Sequence, residues 1–255
     1  MLKKRIIPCL DCTIINNKIK VVKGRNFENL RIVNDPVRLA EQYYLQGADE
    51  LCFLDIGATV ESRKTMISTV RKVSQKVFIP LTVGGGIKTI KDAERLFKNG
   101  ADKVAINTAA IKNPKLISEI SNQFGRQACV VAIDSNKVNN LNKVFASAGK
   151  TETILITENW AKKAEELGAG EILLTSIGKD GTKTGYDIEL TKKISENSNI
   201  PVIASGGCGT LQDLAEVIML GKADAVLAAS IFHYGKYSIK QVKEYLKSKN
   251  IDVRV

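Results

Sequence analysis

Short runs dense in Val, Ile and Leu alternate along the chain with longer segments whose apolar residues recur every three or four positions. The short runs predict strands at 5–10, 50–55, 78–83, 103–107, 128–133, 171–175, 201–204 and 224–228. The longer segments predict helices at 36–46, 61–75, 89–98, 114–123, 158–167, 187–196, 211–220 and 238–248. The strand runs are apolar throughout instead of alternating, as in a parallel sheet covered on both faces. Eight strand–helix units in 255 residues match an α/β chain folded as a single (β/α)8 TIM barrel.

The pattern also repeats. Ile6-Ile7-Pro8-Cys9-Leu10-Asp11 returns as Cys129-Val130-Val131-Ala132-Ile133-Asp134, and Thr82-Val83-Gly84-Gly85-Gly86 as Ile203-Ala204-Ser205-Gly206-Gly207. Ala101-Asp102-Lys103-Val104 returns as Ala223-Asp224-Ala225-Val226. An offset of about 121 residues marks a duplicated supersecondary unit. A doubly wound open sheet does not account for four units followed by four more. No Pro/Gly/Ser-rich linker divides the chain, so the expectation is one domain over 1–255, built from (β/α)4 half-barrel repeats at about 1–123 and 124–255. One connection breaks the rhythm: residues 12–34 exceed the usual strand-to-helix loop. Thr13 to Val21 predicts a small hairpin turning at Asn16-Asn17. The basic Lys23-Gly24-Arg25-Asn26-Phe27 beyond it is placed to act as a lid.

In such a barrel the chemistry gathers at the C-terminal ends of the strands. Asp11 ends the first strand and Asp134 the fifth, facing each other across the mouth. Two carboxylates in separate environments supply an acid and a base. Asp55 and Asp180 are secondary candidates. Gly84-Gly85-Gly86 with Asn107-Thr108, and Ser205-Gly206-Gly207 with Ala229-Ser230, form two matched anion cradles. They predict a bisphosphorylated ligand stretched across the barrel. At the opposite end Arg5, Glu50, Lys103 and Glu171 open strands one, two, four and six. Buried charges of both signs pair, as a structural plug or as a gate for a small polar molecule. His233 is expected to be structural at a helix start, and Trp160 to pack.

A net charge of +11 fits a lysine-rich surface and phosphorylated substrates. No basic segment is interleaved with aromatics, so nucleic acid is not an expected partner. No apolar run nears the ~20 residues of a membrane span, and the N-terminus lacks a signal-peptide pattern. A cytoplasmic protein without membrane partners is expected. Five cysteines, an odd number, suggest free thiols. Cys9-Leu10-Asp11-Cys12 has no second pair and no histidine cluster, so neither a metal nor a cofactor is expected.

Several of these segments together carry a resemblance: Arg5 to Asp11, Lys23 to Phe27, Val83 to Ile87, Ala101-Asp102-Lys103, Gly168 to Ile177, Asp180-Gly181-Thr182-Lys183 and Ala204 to Gly207. Over nearly its whole length the chain resembles the cyclase subunits of imidazole glycerol phosphate synthase, the HisF-type proteins of histidine biosynthesis. The resemblance implies a lyase that forms a heterodimer with a glutaminase subunit and takes ammonia from it. That ammonia converts the bisphosphorylated ribonucleotide PRFAR to imidazole glycerol phosphate and aminoimidazole carboxamide ribotide. It implies acid–base roles for Asp11 and Asp134, and a substrate contact for Lys23. Substrate and phosphate contacts extend to Gly86, Asn107, Thr108, Thr175, Asp180, Gly181, Ser205, Gly206, Gly207, Ala229 and Ser230. Arg5, Glu50, Lys103 and Glu171 become an ammonia gate, and Asp102 and Gln127 face the glutaminase. The chain departs from the family pattern in its first loop, Ile14 to Lys18, and at Gly57 and Gly178, where Thr and Asp are usual.

Three other functions fit part of this pattern. The sister phosphoribosyl isomerases share the two aspartates and both phosphate sites but need no ammonia gate. A HisF-like subunit delivering ammonia to a sugar in surface-polysaccharide synthesis is left open by the altered first loop. A basic RNA-binding scaffold would not need paired carboxylates at strand ends.

Overall fold

The computed structural model describes residues 3–16, 18–25, 28–58 and 66–254. In chain order its strands are β1 (Arg5–Ile15), β2 (Lys18–Arg25), β3 (Glu28–Asn34), β4 (Leu51–Asp55), β5 (Leu81–Gly84), β6 (Lys103–Ile106), β7 (Cys129–Val138), β8 (Leu141–Ala146), β9 (Thr151–Ile156), β10 (Glu171–Ser176), β11 (Val202–Ser205) and β12 (Ala225–Ala228). Its helices are α1 (Pro36–Leu45), α2 (Ile67–Ser74), α3 (Ile90–Phe97), α4 (Thr108–Lys112), α5 (Lys115–Phe124), α6 (Thr157–Glu166), α7 (Ile188–Glu196), α8 (Leu211–Met219), α9 (Ser230–His233) and α10 (Ile239–Ser248).

Strands β1, β4, β5, β6, β7, β10, β11 and β12 pair in parallel in that order. β12 then pairs with β1, from Arg5↔Ala225 to Pro8↔Ala228, and closes the barrel expected from the sequence. Alternation along each strand divides its residues between two cores. Ile6, Leu10, Phe53, Val104 and Val226 point outward and pack with helix residues such as Leu39, Val70, Leu96, Ile117 and Val242. Ile7, Cys9, Cys52, Ala105, Val130, Leu173, Ile203 and Leu227 point inward and fill the barrel.

The same alternation fixes where the polar residues go. In β1 the inward row reads Arg5, Ile7, Cys9, Asp11; in β10 it reads Glu171, Leu173, Thr175. Lys103 and Asn107 share a row at β6. Each row starts with a charge at the bottom, passes an apolar middle and ends with a polar group at the mouth. In β1, six residues at 3.3 Å each put Arg5 and Asp11 about 20 Å apart along the strand.

Asp49, Asp102 and Asp224, each just before a barrel strand, tie the bottom together. Each carboxylate accepts the N–H of a neighbouring-strand residue: Ile6 at 2.8 Å, Leu81 at 2.8 Å and Val202 at 3.1 Å. Gly170 takes the fourth such position, because a Cβ there would lie 2.1 Å from the Arg126 carbonyl oxygen. The repeat extends to helix starts. Thr89 with Asp92 and Thr210 with Asp213 form matching capping boxes on α3 and α8.

The connection after β1 is more regular than expected. Residues 12–34 form a three-stranded antiparallel meander, with β1 paired to β2 and β2 to β3. The expected turn lies between Ile15 and Lys18, with Asn16 at φ 50°; Asn17, and Asn26-Phe27 of the basic segment, lie outside the described residues. A second meander was not expected at all: β7 continues into β8 and β9 around Asn139-Asn140, both at positive φ. Two boundaries also differ. β5 begins at Leu81 instead of residue 78, and α2 is described from Ile67, the predicted residues 61–65 lying outside the described part. Among the described residues no helix is long and apolar enough to cross a membrane.

Candidate active site

A cavity of about 460 Å³ opens at the C-terminal ends of the barrel strands. Asp11, Lys23, Gly86, Asn107, Thr108, Asp134, Thr175, Asp180, Gly181, Ser205, Gly206, Gly207, Ala229 and Ser230 all line it. Every upper-site residue expected from the sequence is therefore brought to one place.

The two aspartates sit in different surroundings. Lys23, from β2, places its Nζ 3.1 Å from Asp11 Oδ2 and 3.5 Å from Asp180 Oδ1. Burial works against the Lys23 ammonium, but the two carboxylates hold its pKa above the usual lysine value. Cys9 Sγ donates to Asp11 Oδ1 at 3.2 Å. Asp134 has no cation partner among the described residues; it accepts from Asn107 Nδ2 at 2.9 Å. Burial pushes the Asp134 carboxyl up to about 7, with the Asp180 charge adding to the rise and the Asn107 donor opposing it. Burial also raises Asp180, against the pull of Lys23. Asp55 lines the same cavity but gives one oxygen to the Ala58 N–H, capping a turn.

The glycine cradles are conformationally required. Gly85, at φ 95°, would place a Cβ 2.1 Å from the Asp55 carbonyl oxygen. Gly207, at φ 100°, would place one 2.1 Å from the Gly185 carbonyl oxygen. Beside each cradle a short helix begins at matched residues: α4 after Asn107 and α9 after Ala229. The Thr108 hydroxyl accepts the Ser147 N–H at 2.8 Å, pinning the β8–β9 turn to the cavity rim.

At the other end of the barrel the four expected charges meet. Arg5 Nη1 lies 2.8 Å from Glu50 and 2.9 Å from Glu171; Lys103 Nζ lies 2.9 Å from Glu50 and 3.0 Å from Glu171. Thr82 Oγ1, not anticipated, donates to Glu50 at 2.5 Å. Asp102 and Gln127 are exposed on this rim.

Other expectations are corrected or refined. His233 ends α9 instead of opening a helix; it shares a 2.6 Å hydrogen bond with Tyr43, and burial lowers its pKa to about 4. Trp160 packs into the core within the first turn of α6. All five cysteines are free. Ser147, Ala148, Lys112 and Lys183 line the cavity without having been anticipated. Lys183 was readable beside Asp180-Gly181. Ser147 and Ala148 arrive with the unexpected second meander.

A family profile described as histidine biosynthesis protein matches residues 5–238. An imidazole glycerol phosphate synthase subunit HisF from Dehalococcoides mccartyi is 58% identical over 255 residues, all of this chain and 99% of the relative. A protein of the same name from Clostridium botulinum is 54% identical over 257 aligned positions, covering the whole of both chains.

Proposed function

We propose, for a chain that belongs to the histidine biosynthesis protein family and within it to the HisF-type cyclase subunits, that the cavity converts PRFAR and ammonia to imidazole glycerol phosphate and aminoimidazole carboxamide ribotide. One observation carries this reading: a lysine-paired Asp11 and an Asp134 without a cation partner among the described residues share a cavity with two matched glycine cradles.

The substrate lies across the barrel with one phosphate in each cradle, held by backbone N–H groups and by the Thr108 and Ser230 hydroxyls. Lys112 and Lys183 add positive charge at the mouth. The reacting atoms then sit between the aspartates. Asp11 acts as base on the incoming nitrogen. Asp134, which holds a proton near neutrality, acts as the acid. Lys23 closes the first meander over the substrate, and Thr175, Asp180 and Gly181 complete the wall.

Ammonia enters from the opposite end. The Arg5–Glu50–Lys103–Glu171 ring is the gate, and the apolar inner row above it is a path of about 20 Å. A glutaminase subunit docks on the rim carrying Asp102 and Gln127 and supplies the ammonia. In this reading the chain is one domain of two half-barrel repeats meeting near residues 123–124. It works in the cytoplasm and uses no metal or cofactor.

The test is turnover of PRFAR with ammonium salts at raised pH, without a partner. Activity that vanishes in Asp11→Asn and in Asp134→Asn supports the assignment. A folded barrel with no turnover sinks it and favours ammonia delivery to a sugar.

A further inference from the structure

The CxxC motif of β1 is not a pair in space. Strand alternation turns Cys9 into the barrel and Cys12 outward to the helices, where they join different apolar clusters. The neighbour of Cys9 is Cys52, its register partner on the adjacent parallel strand β4. Both side chains point into the barrel and belong to the same inward cluster. They are 2% and 1% exposed. Cys9 also lines the cavity and donates to Asp11 Oδ1. A dithiol therefore lies under Asp11, at the cavity floor.

We propose that Cys9 and Cys52 form a binding site for trivalent arsenicals, which bridge the two sulfurs. A disulfide would draw the sulfurs to about 2.0 Å and would need an oxidant; bridging by arsenic needs neither. An arsenic atom set between the sulfurs lets them stay farther apart than a direct S–S bond does, which suits side chains on neighbouring strands. In the condensation each As–OH bond is replaced by an As–S bond. Each thiol proton leaves with the displaced hydroxide as water, and no atom changes oxidation state. The Cys52 side chain, and then burial, hold Cys9 as a neutral thiol. That disfavours chemistry needing a thiolate but not this condensation. Bridging removes the S–H that serves Asp11 and fills the cavity floor. The site does not depend on the reaction assigned to the cavity, and its test reads no turnover.

The probe is phenylarsine oxide on the native full-length chain. Expected is one retained equivalent, with the mass of the reagent less one water. Two of the five cysteines, Cys9 and Cys52 by peptide mapping, should resist alkylation after denaturation. Ethanedithiol should release the adduct where an equal amount of monothiol does not. Cys52→Val and Cys52→Ser should each weaken binding by about a hundredfold or more, the loss of a second tethered contact. Their unfolding midpoints report whether they fold; if they do not, the mapping on the unaltered chain decides. An adduct that persists in the folded variants, a protected pair containing Cys12, or no adduct on the native chain overturns the proposal.

Discussion

Replacing Asp134 by Asn should make the protein more stable while removing its activity, and the size of the gain follows from the environment of the side chain. The carboxyl titrates ordinarily at 3.8 and is pushed up to about 7, because burial disfavours its charge and Asp180 repels it. A difference of about 3 units is worth about 4 kcal/mol. The sign follows from which state holds the proton. Below pH 4 both folded and unfolded chains are protonated at this site, and it costs nothing. Between pH 4 and 7 the unfolded chain releases its proton while the folded chain keeps it, so stability is lost progressively; above 7 the loss is complete. Asparagine carries no charge and still offers an oxygen to Asn107 Nδ2. The measurement is urea unfolding of both proteins from pH 4 to 8, taking the difference at each pH so that other titrations cancel. Relative to the unaltered protein, Asp134→Asn should gain about 4 kcal/mol across this window and then level off. A difference independent of pH would show that Asp134 is already charged in the fold, and the acid role would fall with it.

Three further outcomes follow from the geometry. Glu50→Gln leaves Arg5 and Lys103 sharing one carboxylate at a largely buried site, and should cost about 3 kcal/mol in guanidinium unfolding; a loss below about 1 kcal/mol would mean that the ring is well solvated. Gly85→Ala should cost clearly more than Gly47→Ala and should weaken inorganic phosphate binding. Both glycines have positive φ, but only at Gly85 does the new Cβ meet backbone, whereas at Gly47 it meets nothing within 4 Å; about 1–2 kcal/mol is expected at Gly47, and equal losses would refute the contact argument. Tyr43→Phe strands His233 Nδ1 at a half-buried site and should cost about 1–3 kcal/mol by thermal unfolding, with an unchanged melting temperature counting against the pair.

Period-two alternation explains how much of the site was legible. Once the strands were recognised, Arg5 and Asp11 had to occupy opposite ends of one inward row, and the repeat placed Asp134 across from Asp11. The cradles were legible because close backbone approach leaves glycine as the residue that fits. The second meander was missed although Asn139-Asn140 carries the same turn signal as Asn16-Asn17. β8 buries only Val144 and Ala146, and β9 buries no residue, with Ile154 93% exposed, so the two lack the apolar runs of the barrel strands. Phe78 and Ile79 extend the apolar run ahead of β5 and predict an earlier start than Leu81, yet Phe78 is 79% exposed. The reach of Lys23 to Asp180, and of Thr82 to Glu50, joins residues with no local pattern between them.

The charge ring also bears on how the barrel selects its own parts. Glu50 and Glu171 are repeat counterparts, but Lys103 corresponds to Ala225, and both cations lie in the first half of the sequence. Two copies of the first half would confront four cations with two carboxylates. Two copies of the second would oppose two carboxylates with no cation from this ring. Only unlike halves close it with two charges of each sign. A duplicated chain whose halves could otherwise substitute for one another thus carries, at its floor, an electrostatic preference for joining first half to second.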